Sequence, residues 1–297
     1  MNAERYTVQH ETRYAYTAPV SQSWQLARLT PRTLPWQRLL SHSLQIDPPA
    51  DERRDELDSF GNMVTHFGLH GAHRMLRVQM ECVVEVGARP ALNEGGLAAA
   101  PLSWEAVRDA VRREPQQDDL VPASMCEPTP LVPLSDAARH YASKSFGRAR
   151  PWLEAVTELM RRIHADFEFL PGATTVSTSV DEVLYQRSGV CQDFAHLMLA
   201  CLRGLALPAR YVSGYLLTDP PPGMPRLMGV DASHAWIAAY SPAHGWVEFD
   251  PTNSQLADRR YITLTWGADF ADVVPLRGVI YGGGEQEMDV EVNVMPV

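Results

Sequence analysis

The chain has 297 residues, of which 45% are hydrophobic and 21% are charged, and this composition is typical of a globular protein and excludes global disorder. Its formal net charge of −10 offers no electrostatic footprint for nucleic acid or an anionic membrane. Four cysteines are too few for a disulfide framework, and no apolar run reaches the roughly 18 residues of a transmembrane helix. The N-terminus lacks the layout of a signal peptide, so we expect a cytoplasmic protein whose cysteines stay reduced.

Residues 1–88 are predicted to form a β-rich N-terminal domain. Short segments that alternate between apolar and polar residues are separated by turn clusters of Asp, Pro and Gly. These segments span residues 5–16, 41–46, 63–69 and 74–86. Short, evenly spaced strands of this kind indicate a small antiparallel sandwich.

Residues 89–133 differ in composition, because Gly, Ala and Pro dominate them. One short helix is predicted over 103–113, with Ser103 as its N-cap. Five prolines follow between positions 115 and 133. We therefore interpret this segment as a semi-rigid linker on the surface.

Residues 134–297 are predicted to form an α+β domain that carries the chemistry. Helical periodicity and capping signals predict three helices, over 135–144, 151–167 and 191–204. Strand-like runs follow at 209–217, 234–240, 246–249 and 288–295.

Cys191 is the most informative residue of this region, because it opens the third predicted helix. A helix N-terminus presents free backbone N–H groups and a partial positive charge, and both stabilise a thiolate. Such a cysteine is expected to be nucleophilic. A lone cysteine is more often a small buried hydrophobe, so further residues are needed to support this interpretation.

Two residues downstream could complete a catalytic triad with Cys191. His234 lies 43 residues after it, at the start of a strand, and Asp250 lies 16 residues further on, at the end of the next strand. The turn at 241–245 predicts a hairpin that places the two side chains on neighbouring strands. No metal-ligand spacing accompanies them, so we expect neither a metal nor another cofactor.

The sequences around these three residues resemble the bacterial transglutaminase-like superfamily: GVCQDFAH at Cys191, DASHAW at His234 and GWVEFDPTN at Asp250. PGAT, LPARYVSGYL and the N-terminal RYTVQHETRYAYTAPV and DSFGN also match. One departure is that Gly267–Phe270 reads GADF where related sequences tend to carry GRDY, which puts any binding role of that arginine and tyrosine in doubt.

The resemblance implies a papain-like transglutaminase core of helices and antiparallel sheet, preceded by the β-rich domain. It implies that Cys191 is the nucleophile, His234 the base and Asp250 the residue that orients the histidine. The reaction would be acyl transfer or amide hydrolysis through a thioester, on a protein or peptide with a glutamine or amide group.

The residues that complete the site stay open at this point. Beside the backbone N–H of Cys191, the candidate oxyanion donors are Gln192, Trp152, Tyr185 and Thr174. The candidate pocket residues are Tyr215, Trp236 and Asn253. A cysteine peptidase with water as acceptor is a close alternative, and a catalytically silent binding or scaffold protein of the same fold is the non-enzymatic one.

Overall fold

A computed structural model describes residues 3–89, 102–113, 120–218 and 233–297. Its N-terminal region is a sheet built around one long strand. The first five strands are β1 (Glu4–Ala27), β2 (Gln37–Asp47), β3 (Glu52–Leu57), β4 (Met63–Leu69) and β5 (His73–Val86). They lie in the order β2-β5-β1-β4-β3, and all neighbours are antiparallel. The predicted β-rich N-terminal region is confirmed.

This sheet is continuous, whereas the sequence predicted a sandwich of separate short strands. β1 is 24 residues long and belongs to both halves of the sheet, because its pairing with β5 shifts register between Ala15 and Val20. Before the shift it lies beside β5, and after it beside β4. The predicted strand over 5–16 is thus the first half of a longer element.

The middle of the chain supplies the helices. They are α1 (Trp104–Arg112), α2 (Leu120–Ser124), α3 (Asp136–Ser143), α4 (Trp152–Asp166), α5 (Val180–Gln186), α6 (Cys191–Gly204) and α7 (Phe270–Val273). Between them, β6 (Glu168–Phe169) and β7 (Ser188–Gly189) form a short parallel pair. The predicted helices over 135–144, 151–167 and 191–204 are confirmed as α3, α4 and α6.

A second antiparallel sheet packs against these helices. Its strands are β8 (Ala209–Leu216), β9 (Ser233–Ser241), β10 (Gly245–Asp250), β11 (Gln255–Leu256) and β12 (Tyr261–Gly267), in the order β11-β10-β9-β8-β12. Residues 193–203 of α6 are all buried, so this helix is the centre of the core. The helix-and-antiparallel-sheet core that was predicted is confirmed.

The last two strands, β13 (Leu276–Gly282) and β14 (Gln286–Pro296), leave the second sheet and pair with β1 of the first. In β14 the pairing runs from Tyr6 opposite Pro296 to Tyr16 opposite Gln286. These residues were predicted to belong to the α+β domain of residues 134–297. Alternation identified β14 as a strand, but it holds no information on which sheet the strand joins.

Part of the predicted linker is packed into the core. Ser103 caps α1 as expected, since its side chain accepts a hydrogen bond from the Ala106 N–H. Val107 of α1 and Val132 are fully buried among the helices. Residues 90–101 and 114–119, where the linker interpretation also fell, lie outside the described residues. Within the described ranges, no helix is both long and apolar enough to span a bilayer.

Candidate active site

Cys191 is the first residue of α6, and a local hydrogen-bond network fixes the start of that helix. The Asp193 carboxylate turns back and accepts from the Val190 N–H at 2.8 Å and from the Thr174 hydroxyl at 2.6 Å. Burial raises the pKa of Asp193 against the lowering effect of these bonds. A Cβ on Gly189 would lie 2.8 Å from the Asp193 carboxylate, so the glycine makes room for this cap.

His234 and Asp250 lie on the neighbouring strands β9 and β10, as the hairpin predicted. The Nε2 atom of His234 is 2.7 Å from Oδ2 of Asp250. The Asp250 side chain is fully buried and that of His234 is 11% exposed. The imidazole is therefore held from behind by a carboxylate and reaches solvent only at its other edge.

Every oxygen of the Asp250 carboxylate is hydrogen-bonded. Besides His234, Oδ2 accepts from the Tyr261 hydroxyl at 2.6 Å and from the Asn253 amide at 2.7 Å. Oδ1 accepts from the backbone N–H groups of Thr252 and Asn253 at 2.8 and 3.2 Å. Burial alone would raise the pKa of Asp250, but His234 and these donors lower it below its ordinary value.

Cys191 and His234 line the same cavity, and a side-chain hydrogen bond to Cys191 is among the causes that raise the pKa of His234. Asp250 is bonded to Nε2, so Nδ1 is the ring nitrogen not bonded to Asp250. Burial would lower the pKa of His234, but the hydrogen bonds to Asp250 and Cys191 and their negative charges raise it to about 10. The ring is thus a cation at neutral pH, beside a sulfur that it can stabilise as a thiolate.

These side chains open into a cavity of about 270 Å³. One side carries Cys191, Gln192 and His234, and the other is formed by the N-terminal sheet, with Thr12 and Tyr14 of β1 among its residues. Among the described residues, none that lines the cavity is Asp, Glu, Lys or Arg. His10 also lines the cavity, and burial lowers its pKa to about 4, so it is neutral. The cavity therefore suits an uncharged polar group.

Three of the remaining sequence candidates lie at the site. Gln192 lines the cavity. The Trp236 ring is buried and stacks on His234 at 5.9 Å between ring centroids. The Asn253 amide supports Asp250 and lies 3.4 Å from His234 Nε2. Gln192 therefore lies at the cavity beside Cys191, whereas Trp236 and Asn253 contact His234.

The other candidates lie elsewhere. Trp152 is buried in the helical core and packs against His244 and Phe249, and Tyr185 is 91% exposed on α5. Tyr215 is buried behind the cavity wall, where its hydroxyl bonds His10 Nδ1 at 2.9 Å, and Thr174 is committed to Asp193. The sequence identified these residues as candidates by their type, but helical and strand periodicity does not determine whether a side chain points towards the site.

Two parts of the site were missed by the sequence analysis. Tyr261 supports Asp250 from β12, a strand that was not predicted. Met288 and Val290 of β14 line the cavity from the N-terminal sheet. The mostly apolar run Tyr261–Leu264 is a sequence signal for the strand that carries Tyr261. No sequence signal predicts that β14 pairs with β1. Across the described ranges, no cluster of three or more His, Cys, Asp or Glu could hold a metal ion.

Two family models match this chain. Residues 6–85 match the family described as the bacterial transglutaminase-like N-terminal region, and residues 139–251 match the transglutaminase-like superfamily. The two matches include β1 to β5, α6 and the strands that carry His234 and Asp250.

Relatives extend over the full length. An uncharacterized protein of Mycobacterium tuberculosis is 43% identical over 302 residues, which cover 98% of this chain and 93% of the relative. A protein-glutamine gamma-glutamyltransferase of Pseudomonas aeruginosa is 33% identical over 114 residues, 37% of this chain and 17% of its own. The crystal structure of a candidate cysteine protease from Cytophaga hutchinsonii has a TM-score of 0.78 at 20% identity, covering all of this chain and 92% of that one. It shows that the fold is shared.

Proposed function

The chain belongs to the transglutaminase-like superfamily, and from that premise we propose that it is a cysteine enzyme that cleaves carboxamide bonds through a thioester. Cys191 is the nucleophile, His234 the acid and base, and Asp250 the residue that orients the imidazole. The observation that carries the proposal is that Cys191 and His234 line one cavity, while His234 Nε2 is 2.7 Å from Oδ2 of the buried Asp250.

In the acylation step, the Cys191 thiolate attacks the carbonyl carbon of the amide and forms a carbon–sulfur bond. The carbon–nitrogen bond then breaks, and the His234 imidazolium donates its proton to the departing ammonia or amine. Asp250 fixes the ring orientation and stabilises its positive charge, because it accepts from Nε2 and leaves Nδ1 for the sulfur.

The negative oxygen that forms during attack needs hydrogen-bond donors. Cys191 is the first residue of α6, so its backbone N–H has no partner within the helix and is available. Of the four side chains considered as oxyanion donors, Gln192 is the one that lines the cavity. We assign these two donors to the oxyanion.

A second nucleophile, amine or water, then attacks the thioester, passes a proton to His234 and releases the Cys191 thiolate. In the part of the lining that the structure describes, histidine is the only ionisable acid or base apart from Cys191 and tyrosine, which favours an uncharged amide such as the glutamine side chain. The name of the Pseudomonas relative supports the same substrate class. A peptide or protein with an accessible glutamine is therefore the proposed substrate.

Alkylation and mass spectrometry test the proposal in the intact protein. Iodoacetamide at neutral pH should label Cys191 ahead of the other three thiols, since burial raises the pKa of Cys82 to about 12 and that of Cys126 to about 11, and the Cys201 thiol is wholly buried. His234→Gln should slow this labelling at least tenfold, because the thiolate loses its cationic partner. Labelling of another cysteine first would contradict the assignment.

Turnover is tested with a glutamine peptide, alone and with a primary amine. A thioester on Cys191, a deamidated peptide or an amine-linked peptide would identify the reaction by mass. The product distribution separates hydrolysis from transfer, and Cys191→Ala should abolish both. A reactive Cys191 with no product from any glutamine or peptide substrate would favour the silent binding protein instead.

A further inference from the structure

A second cavity, of about 340 Å³, is lined largely by aromatic and aliphatic side chains. We call it the tryptophan cavity, and define it by Trp36, Trp246, Trp266, Arg210 and Glu248. Trp36 comes from the segment before β2, and the other four come from β8, β10 and β12. Neither Cys191 nor His234 lines it, so it is separate from the catalytic cavity.

Arg210 is the unusual residue of this cavity. Its guanidinium carbon lies 4.2 Å from the centre of the Trp246 ring and 3.5 Å from that of Trp266, so it is stacked between two indoles. Arg210 is 5% exposed, and its Nε–H has no hydrogen-bond partner among the residues that the structure describes. Buried cations in proteins are ordinarily paired with a carboxylate, because desolvation is otherwise uncompensated.

Glu248 does not supply this pairing. Its Oε2 accepts from Arg89 Nε at 3.0 Å and from Trp236 Nε1 at 3.1 Å, while its Oε1 has no partner within the described ranges. Its charge raises the pKa of Arg210, but burial outweighs it and lowers that pKa to about 9. With Arg89 and Arg210 against one carboxylate, the cavity holds an excess of one positive charge.

A further donor points to the same kind of ligand. The Nε1–H of Trp36 is buried and has no hydrogen-bond partner in the described chain. Each of these N–H groups, like the guanidinium itself, is a donor that a carboxylate oxygen could accept from. The indole faces and Leu34 form apolar walls for the rest of a ligand.

We propose that the tryptophan cavity binds a carboxylate carried on an apolar body, with Arg210 as its cationic partner and Trp36 as a second donor. Two sources share this chemistry: a free aliphatic or aromatic acid, and the C-terminal carboxylate of a peptide that ends in an apolar residue. The proposal is independent of the chemistry assigned to Cys191.

Isothermal titration calorimetry of the full chain tests it with paired probes. 3-Phenylpropionate should bind at least tenfold more tightly than 3-phenylpropionamide, which has the same shape without the charge. N-acetylphenylalanine against N-acetylphenylalaninamide makes the same comparison for a peptide end, and the tighter acid identifies the source. Blocking Cys191 with iodoacetamide should leave the affinities unchanged, since the catalytic cavity is elsewhere.

Arg210→Gln should remove the preference for the acid over the amide, and Arg161→Gln, an exposed arginine on α4, should preserve it. Should Arg210→Gln fail to fold, Trp36→Phe deletes the donor and keeps an aromatic wall, and it should weaken acid binding several-fold while leaving the amide unaffected. Equal binding of acid and amide, no binding of either acid, or an intact preference in Arg210→Gln would each overturn the proposal.

Discussion

Two buried carboxylates on β10, Glu248 and Asp250, stand two residues apart and are treated very differently by their surroundings. Both oxygens of Asp250 are hydrogen-bonded, five contacts in all. Glu248 has one oxygen with two donors and one with no donor among the described residues, and no carboxylate in the same ranges forms an ion pair with the neighbouring Arg210. A fully bonded carboxylate indicates a preorganised site, whereas Glu248 is an incompletely bonded group at the tryptophan cavity.

The two cavities near these carboxylates also differ in the charge of the groups that line them. The catalytic cavity is lined by neutral polar and apolar groups around a charged histidine. The tryptophan cavity has buried charges within apolar walls. Trp236 connects them, because its ring stacks on His234 and its indole N–H donates to Glu248.

The substitution with the largest expected effect is Asp250→Asn. The amide keeps the volume but cannot stabilise the imidazolium, so we expect turnover of a glutamine peptide to fall by roughly 10³–10⁴-fold. Steady-state kinetics measure it, and Asp289→Asn, an exposed residue of β14 that lies outside the cavity lining, is the matched control. A loss below tenfold would remove Asp250 from the catalytic set.

The counterpart on the other carboxylate is Glu248→Gln, and here stability should respond. Arg89 would lose its buried partner, and we expect the free energy of unfolding to fall by about 3 kcal/mol. Urea denaturation followed by tryptophan fluorescence measures the change. The exposed pair of Arg139 with Asp136 is the control, since Asp136→Asn should cost less than about 1 kcal/mol. Equal costs would show that the Glu248 pair is not desolvated.

Two histidines sharpen the contrast through pH. The pKa of His234, about 10, lies above its ordinary value, so its stabilising effect is complete below pH 6.5 and is lost as the pH rises towards 10. Burial lowers the pKa of His196 to about 4. The stability that the neutral, buried ring contributes is therefore complete above pH 6.5 and is lost as the pH falls towards 4.

Imidazole NMR signals across pH 4–10 measure both. At pH 8 the charged form of His234 should exceed the neutral form by roughly 100 to 1, while His196 should be neutral. A His234 ring that titrates near pH 6.5 would mean that neither Asp250 nor Cys191 holds its proton.

A milder change is Tyr261→Phe, which deletes one hydrogen bond to Asp250 and keeps the ring that packs against Trp236. We expect kcat/KM to fall about tenfold, in line with the loss of one charge-assisted bond. The pKa of Asp250 should rise, so the acid limb of the pH profile should move to higher pH. Tyr281→Phe on β13 should do neither, and an unshifted acid limb would assign Tyr261 a packing role alone.

The smallest expected effect concerns the wall that β14 contributes. Val290→Ala removes part of an apolar surface in the catalytic cavity, so KM for a glutamine peptide should rise about two- to fivefold with kcat unchanged. Val279→Ala, an exposed valine of β13 outside the cavity lining, is the control. Identical KM values for the two variants would show that substrates do not contact the N-terminal sheet.

The sequence was informative where chemistry depends on local order. The helix that starts at Cys191 and the hairpin of β9 and β10 both follow from residues close together in the chain. Helix α5 was not predicted, although its Ser179–Glu182 capping box is a local signal in the sequence.

Contacts between distant segments could not be predicted. Period-2 alternation places residues on faces of a strand but does not select the partner, so the pairing of β14 with β1 and the cavity wall at Val290 were missed. The direction of a side chain from its element is likewise undetermined. For this reason Trp152 and Tyr185 were both predicted at the site, whereas Trp152 lies in the core and Tyr185 is exposed to solvent.

The position of β1 also constrains the order of events during synthesis. This strand leaves the ribosome early, but its neighbours β13 and β14 follow the whole catalytic region in the chain. At a synthesis rate of about 5–20 residues per second, one edge of β1 stays unpaired for on the order of tens of seconds until β13 and β14 are made. The wall formed by Met288 and Val290 is synthesised with them, so a nascent chain contains Cys191 well before the cavity beside it can close.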